Sequence, residues 1–300
     1  MPKHPFLSGT DQIQPFFKPT QIMKQMFSSI LGVDTKETLK KAIFRFKNRS
    51  FEPYVKRLCL YETPFDFYMG NTDGQQWHID TTDDKDWHWP EMKFMKDNMA
   101  AQGEVVLECG GHHGLTATLI SKWIGPTGQL ITFEPNVENA AIIQKNIGLN
   151  NLKNIRLEPK AVGAATGKIK IAFSSSNSYI LKGREHVGAD VPLVMLDDYA
   201  SLHPTCLKID VEGFELEVLR GARKILKTHP KLAIEVHTDM IERYGAKVKD
   251  IFDVIDDGGY EFWVQWDIDK DPVPYQRGSP ITHRVHLFAL PCRQSQHSLF

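Results

Sequence analysis

Residues 105–136 run VVLECGGHHGLTATLISKWIGPTGQLITFEPN. An apolar run, Val105-Val106-Leu107, ends on Glu108 and passes into a glycine-rich turn, Gly110-Gly111-His112-His113-Gly114. Leu115, Leu119, Ile120, Trp123 and Ile124 then recur at helical spacing until Gly125-Pro126 stops them. A second apolar run, Leu130 to Phe133, ends on Glu134. Strand, glycine turn, helix, strand, acid is the order of a nucleotide-binding βαβ unit. Glycines at a strand end let the backbone turn sharply and let a ligand come close. The N–H groups at the start of the following helix are free to meet polar ligand atoms. Glu134, twenty residues past Gly114, is placed to accept hydrogen bonds from both hydroxyls of a ribose.

Two cofactor classes use such a unit. A dinucleotide fingerprint reads G-x-G-x-x-G and sets a pyrophosphate on the helix N-terminus. Here the pattern is Glu108-x-Gly110-x-x-x-Gly114, with His112 where the middle glycine would stand. An acid before the first glycine repels a pyrophosphate and suits a cation, such as the amino group and sulfonium of S-adenosylmethionine. The plain structural alternative is a tight turn that binds nothing, and Glu134 in register speaks against it.

Outward from this unit the chain is ordinary. It has 300 residues, 41% hydrophobic and 24% charged, with a net charge of −1, which is a soluble globular composition with no footprint for nucleic acid. The basic stretch from Lys36 to Arg57 is read as a solvated helix face. Cys59, Cys109, Cys206 and Cys292 are scattered, without metal-ligand or redox spacing, which points to a reducing, cytoplasmic setting. No run approaches the length of a membrane span.

Residues 1 to about 25 read as a proline-marked arm and 21–49 as helical. Leu58–Tyr68 and Gln76–Ile79 read as short strands joined through a turn at 70–74, and 91–99 as a helix. Beyond the opening unit, helices are expected from Asn136 to about 147, over 214–227 and over 239–256. Strands are expected at 155–158, 168–173, 207–211, 232–236, 260–266 and 284–290, with a turn at 160–163 and a loop over 174–190. Alternating strands and helices imply an α/β fold, a parallel sheet covered on both faces, with ligands outside the carboxyl ends of its strands. Glu108, Glu134, Glu158, Asp210, Glu212, Glu235 and His237 all fall at those ends, which favours a ligand-binding enzyme over a scaffold.

In this order, VVLECGGHHGLTA, ITFEPNVENAAIIQKNI, AVGAATGKIKI, VMLDDY and LKIDVEGFELEVLRGA resemble the FkbM-type methyltransferases over roughly residues 90–290. Lys208 to Glu215, KIDVEG-x-E, is the most specific piece. The resemblance implies a class I S-adenosylmethionine-dependent fold, a Rossmann-like, seven-stranded, mostly parallel sheet whose last strand is antiparallel. It implies O-methylation of hydroxyls on sugars and secondary metabolites. It divides the chain into an N-terminal helical and short-strand extension, 1–90, and a methyltransferase domain, 91–300. It assigns cofactor binding to Glu108, Gly110, Gly111, His112, Gly114, Glu134, Pro135, Asn136 and Ala161. The chain departs from the family pattern where Glu108 replaces Asp, Gly111 replaces Ala and His112 replaces Asn.

A hydroxyl nucleophile must lose its proton, and Asp210 and His237 are the candidate bases, His having the better unperturbed pKa. Alternatives stay open at each. Asp210 and Glu212 precede a helix and can cap it, or hold a divalent metal together. Glu235 is a candidate structural partner for Lys208, which should be ion-paired. His112 and His113 are neighbours in a turn, where rings rarely point together, so no metal ligand set is assigned. Trp77, Trp87 and Trp89 either stack on an acceptor or plug the N-terminal segment onto the core. Tyr179, Arg184 and His186 suggest a lid over a small-molecule or glycan acceptor. A non-catalytic binding protein and a nicotinamide-dependent oxidoreductase are the competing readings, and the oligomeric state is left open.

Overall fold

The computed structural model describes residues 48–79, 89–174, 177–180, 188–255 and 258–292. The chain divides into Met1–Leu39, outside those residues, and a unit over Lys40–Phe300. The expected arm and the helical stretch up to residue 47 therefore lie outside the described residues, as do Trp87, Arg184 and His186. The side chains of Trp77 and Tyr179 lie outside them too.

The described chain opens with a hairpin, β1 (Tyr54–Leu60) and β2 (Thr63–Met69), where one strand over 58–68 was expected. Its two-residue turn, Tyr61-Glu62, has φ of 50° and 60°. Positive φ at both positions matches the twist of the flanking strands, but glycine or asparagine usually advertises it and neither is there. Phe65, Phe67 and Met69 alternate onto one buried face and join the same core cluster as Met92, Met95 and Leu119. The outer edge of β2 is closed by side chains. Asn150 accepts from Asp66 N and donates to Asp66 O, and Asn146 accepts from Tyr68 N. Residues 76–79 belong to helix α1 (Thr72–Ile79), not to a strand, because Asn71 accepts from Gly74 N and so caps the helix. Helix α2 (Pro90–Asn98) follows.

The core begins with β3 (Val105–Cys109), α3 (Leu115–Ile124), β4 (Gln129–Phe133), α4 (Val137–Leu149) and β5 (Ile155–Glu158). After a second, smaller sheet it resumes with β10 (Cys206–Ile209), α5 (Glu215–Arg220), α6 (Arg223–Leu226), β11 (Lys231–Val236), α7 (Thr238–Ile241) and α8 (Val248–Ile255). It ends with β12 (Tyr260–Gln265), β13 (Val273–Pro274) and β14 (Val285–Pro291). The main sheet has the order β13-β12-β14-β11-β10-β3-β4-β5. The pairs from β5 through β11 are parallel, and β14, the last strand, inserts antiparallel between β11 and β12. That is the expected seven-stranded class I methyltransferase sheet, with the two-residue β13 added at its edge.

The smaller sheet corrects two expectations. The turn at 160–163 holds β6 (Ala161–Val162), and the loop over 174–190 holds β8 (Asn177–Ile180) and the start of β9 (Ala189–Val194). With β7 (Gly167–Ser174) they form a sheet in the order β6-β9-β7-β8. The helix expected over 214–227 breaks at Gly221, where a Cβ would come within 2.0 Å of Gly163 O. The one expected over 239–256 breaks at Gly245, whose φ is 75°. Among the described residues no helix is long and apolar enough to cross a membrane.

Candidate active site

A cavity of about 300 Å³ opens at the carboxyl ends of β3, β4, β10 and β11. Its floor is the glycine turn. Gly110 has φ of 90°, and a Cβ there would lie 1.9 Å from the carbonyl oxygen of Asp210. Only glycine fits both demands. His112 takes a left-handed φ of 49°, which turns its N–H onto Glu134 Oε2 at 2.8 Å. Asn136 N donates to Glu134 Oε1 at 2.9 Å. Glu134 is thus held from both sides, Asn139 Nδ2 also donates to Oε1 at 3.5 Å, and Oε2 keeps a further lone pair for a ligand. Burial pushes its carboxyl up to about 7, against the pull of those N–H donors.

Gly110, Gly111, His112, Glu134, Pro135, Ala161 and Asp210 line the cavity, and Glu108, Gly114, Asn136 and His237 are not among its lining residues. Asn136 caps α4, its side chain accepting from Glu138 N at 2.9 Å. Gly114 is the left-handed N-cap of α3. Glu108 is fully buried, and its oxygens accept from Thr116 Oγ1 at 2.5 Å and Thr132 Oγ1 at 2.7 Å. It braces the turn where direct contact with a cation was expected. The Gly111 departure follows from the same arrangement, because a Cβ at 111 would meet Thr132 Oγ1 at 2.4 Å. The rings of His112 and His113 do lie together, 4.0 Å apart. Burial keeps His113 well below the usual imidazole range, and its Nε2 lies 3.4 Å from Asn71 Nδ2.

Charged groups crowd the ends of β10 and β11. Lys208 is buried and pairs with Asp210 Oδ2 at 3.2 Å, as an ion-paired lysine should. Glu235 bonds to Arg284 and to His286, at 3.5 Å from His286 Nε2, where Lys208 was the expected partner. His286 also reaches Glu91 Oε2 at 3.2 Å. Neither Asp210 nor Glu212 caps the following helix, which has no side-chain cap. Instead Glu215, fully buried, accepts from Gly213 N at 2.8 Å and sits 2.8 Å from His237 Nδ1.

Burial and the neighbouring Glu235 push the Asp210 carboxyl up to about 7, while His286 and Arg284 outweigh burial and hold Glu235 low. For His237, burial opposes the charge, but Glu215 and Asp210 prevail and raise it to about 9. The carboxylates around it raise the basicity of the ring, so the argument from its unperturbed pKa does not carry over. Glu215, Arg284 and His286 were not assigned a role from the sequence. Glu215 closes the quoted KIDVEG-x-E stretch, so its signal was there. Arg284 and His286 reach the site only because β14 inserts beside β11.

Apolar lining comes from Trp89, Ile171, Ile180, Phe214 and Ile268. Trp89 is set there by the hairpin. Tyr61 OH donates to Trp89 O at 2.5 Å and accepts from Trp89 N at 2.9 Å.

Residues 108–262 match the family model described as "Methyltransferase FkbM domain". No curated protein matches the chain. Among solved structures, an S-adenosylmethionine-dependent O-methyltransferase from Thermotoga maritima is similar at 11% identity, covering 80% of this chain and 79% of that one, with a TM-score of 0.42. A putative rRNA methylase from Clostridium thermocellum is also 11% identical, covering 67% and 92%, with a TM-score of 0.42. TYW2 of M. jannaschii, in complex with AdoMet, is 14% identical, covering 80% and 86%, with a TM-score of 0.40.

Proposed function

We propose that this chain, which belongs to the FkbM methyltransferase family, is an S-adenosylmethionine-dependent O-methyltransferase acting on a hydroxyl of a sugar, glycan or secondary metabolite. Glu134 carries the reading. It follows β4 beside a glycine turn, lines the cavity, and has both oxygens fixed by backbone N–H groups while Oε2 keeps a lone pair for a ribose hydroxyl. Pro135, Ala161 and Val162 offer apolar walls next to it for a base. The bound cofactor would supply a methyl group made electrophilic by a sulfonium. Asp210 and Glu212 lend the far end of the cleft the negative charge that such a cation prefers. Asp210, which lines the cavity, is our candidate for taking the proton that an acceptor hydroxyl gives up. The apolar wall with Trp89 would pack an acceptor's body while the strand ends hold its hydroxyl.

Calorimetric titration with S-adenosylhomocysteine and with NAD tests this. The expected result is micromolar affinity for the first and none for the second. Binding of neither would favour a methyltransferase-like protein that serves by holding a partner.

A further inference from the structure

At the ends of β10 and β11, one donor atom each from Asp210, Glu235 and His237 lie within 4.8 Å of one another. Two ligands of one divalent ion, each about 2.1–2.3 Å from it, stand at most about 4.6 Å apart, so this spacing needs little adjustment. The histidine is the telling member. It is 2% exposed, and its Nε2 has no hydrogen-bond partner. Its other nitrogen is committed to Glu215, a fully buried carboxylate that is itself fixed by Gly213 N. A buried carboxylate on one imidazole nitrogen, with the other nitrogen 3.5 Å from the Glu212 carboxylate, is the arrangement that orients a metal-binding histidine.

The flanking cations leave room for an ion. Lys208 meets Asp210 through Oδ2, and Arg284 and His286 meet Glu235 through Oε1, so each carboxylate keeps one oxygen outside these pairs.

We propose that Asp210, Glu235 and His237 bind one divalent cation that accepts carboxylate and imidazole ligands together, such as Mn²⁺. Glu212 Oε2, 3.5 Å from His237 Nε2, is within reach as a fourth donor, and Glu215 is a positioning residue. The site shares its strand ends with the proposed methyl transfer but does not depend on a nucleoside being bound.

The test is a titration of the EDTA-treated full chain with MnCl₂, followed by the paramagnetic resonance signal of free Mn²⁺. One saturable ion per chain is expected. Glu215→Gln should weaken binding by roughly tenfold, as loss of a histidine's outer partner does. His237→Ala should weaken it at least as much. Asp210→Asn, a same-sized change at a partly exposed position, supplies a second folded variant with the same expected loss. Glu104→Gln, whose partner is Lys231 at the far end of the strands, should bind Mn²⁺ like the parent. No saturable binding below millimolar Mn²⁺, or binding unchanged in folded Asp210→Asn and His237→Ala proteins, would overturn the site. A parallel S-adenosylhomocysteine titration separates the two readings. Nucleoside binding without Mn²⁺ binding removes only the cation site. Mn²⁺ binding without nucleoside binding supports it and removes only methyl transfer.

Discussion

The carbonyl oxygen of Asp210 lies 1.9 Å from the point that a Cβ on Gly110 would occupy. The glycine turn after β3 and the acidic end of β10 are thus packed backbone to backbone, tied also by Asp210 N donating to Cys109 O at 3.0 Å. Any side chain at 110 must push the two strand ends apart.

Gly110→Ala therefore faces both a clash and a left-handed φ. A loss of about 2–4 kcal/mol is expected, in the range of strained or overpacked positions. Urea unfolding measures it. A variant as stable as the parent would contradict this packing.

Glu134 should make nucleoside affinity depend on pH. Its carboxyl sits at about 7 in the free protein against an ordinary 4.5, so below pH 7 it is protonated and must lose that proton to accept fully from a ribose. Affinity for S-adenosylhomocysteine should fall about tenfold per pH unit below that value, and Glu134→Gln should bind weakly with a flat profile. The stability effect has the opposite sense. The folded state binds more protons than the unfolded chain between pH 4.5 and 7, so the contribution of Glu134 to stability falls as pH rises through that window. A pH-independent affinity in the parent protein would count against the ribose assignment.

Gly111, Thr132 and Glu108 should behave as a unit. Gly111→Ala alone meets Thr132 Oγ1 at 2.4 Å and should cost about 1–3 kcal/mol. Thr132→Ala alone removes a hydroxyl that donates to the buried Glu108 and should cost about 1–3 kcal/mol. Together they should cost less than the sum, since the second change clears space for the first. Additive losses in a double-mutant cycle would refute the coupling.

Tyr61→Phe should loosen the cavity's apolar wall without touching the nucleoside side. It removes both hydrogen bonds to the Trp89 peptide, for an expected loss of about 1–3 kcal/mol. Amide exchange around 89–91 should quicken while S-adenosylhomocysteine affinity holds. Unchanged exchange there would show that Trp89 is held by other contacts.

Much of this protein was legible before folding, for a physical reason. Period-two and period-3.6 patterns, glycine stops and strand-end acids are local signals, and they placed the βαβ unit, the parallel sheet and Glu134. Local signals also misled. Tyr61-Glu62 makes a tight turn without turn residues, and 70–74 looked like a loop because Asn71 and Gly74 serve a helix start. The strands β8 and β9 hid in a polar stretch because their partner, β7, is what makes them strands.

Strand direction and alternation are written along the chain, and they alone gather these acids and glycines at the carboxyl end of the sheet. Which of them face the cavity depends on how the folded elements meet. Glu108 turns inward to two threonines, His237 is tied to Glu215, and Arg284 arrives just before an inserted antiparallel strand. Those outcomes rest on partners far apart in sequence, whose approach is fixed by packing and charge pairing rather than by any periodicity of the chain.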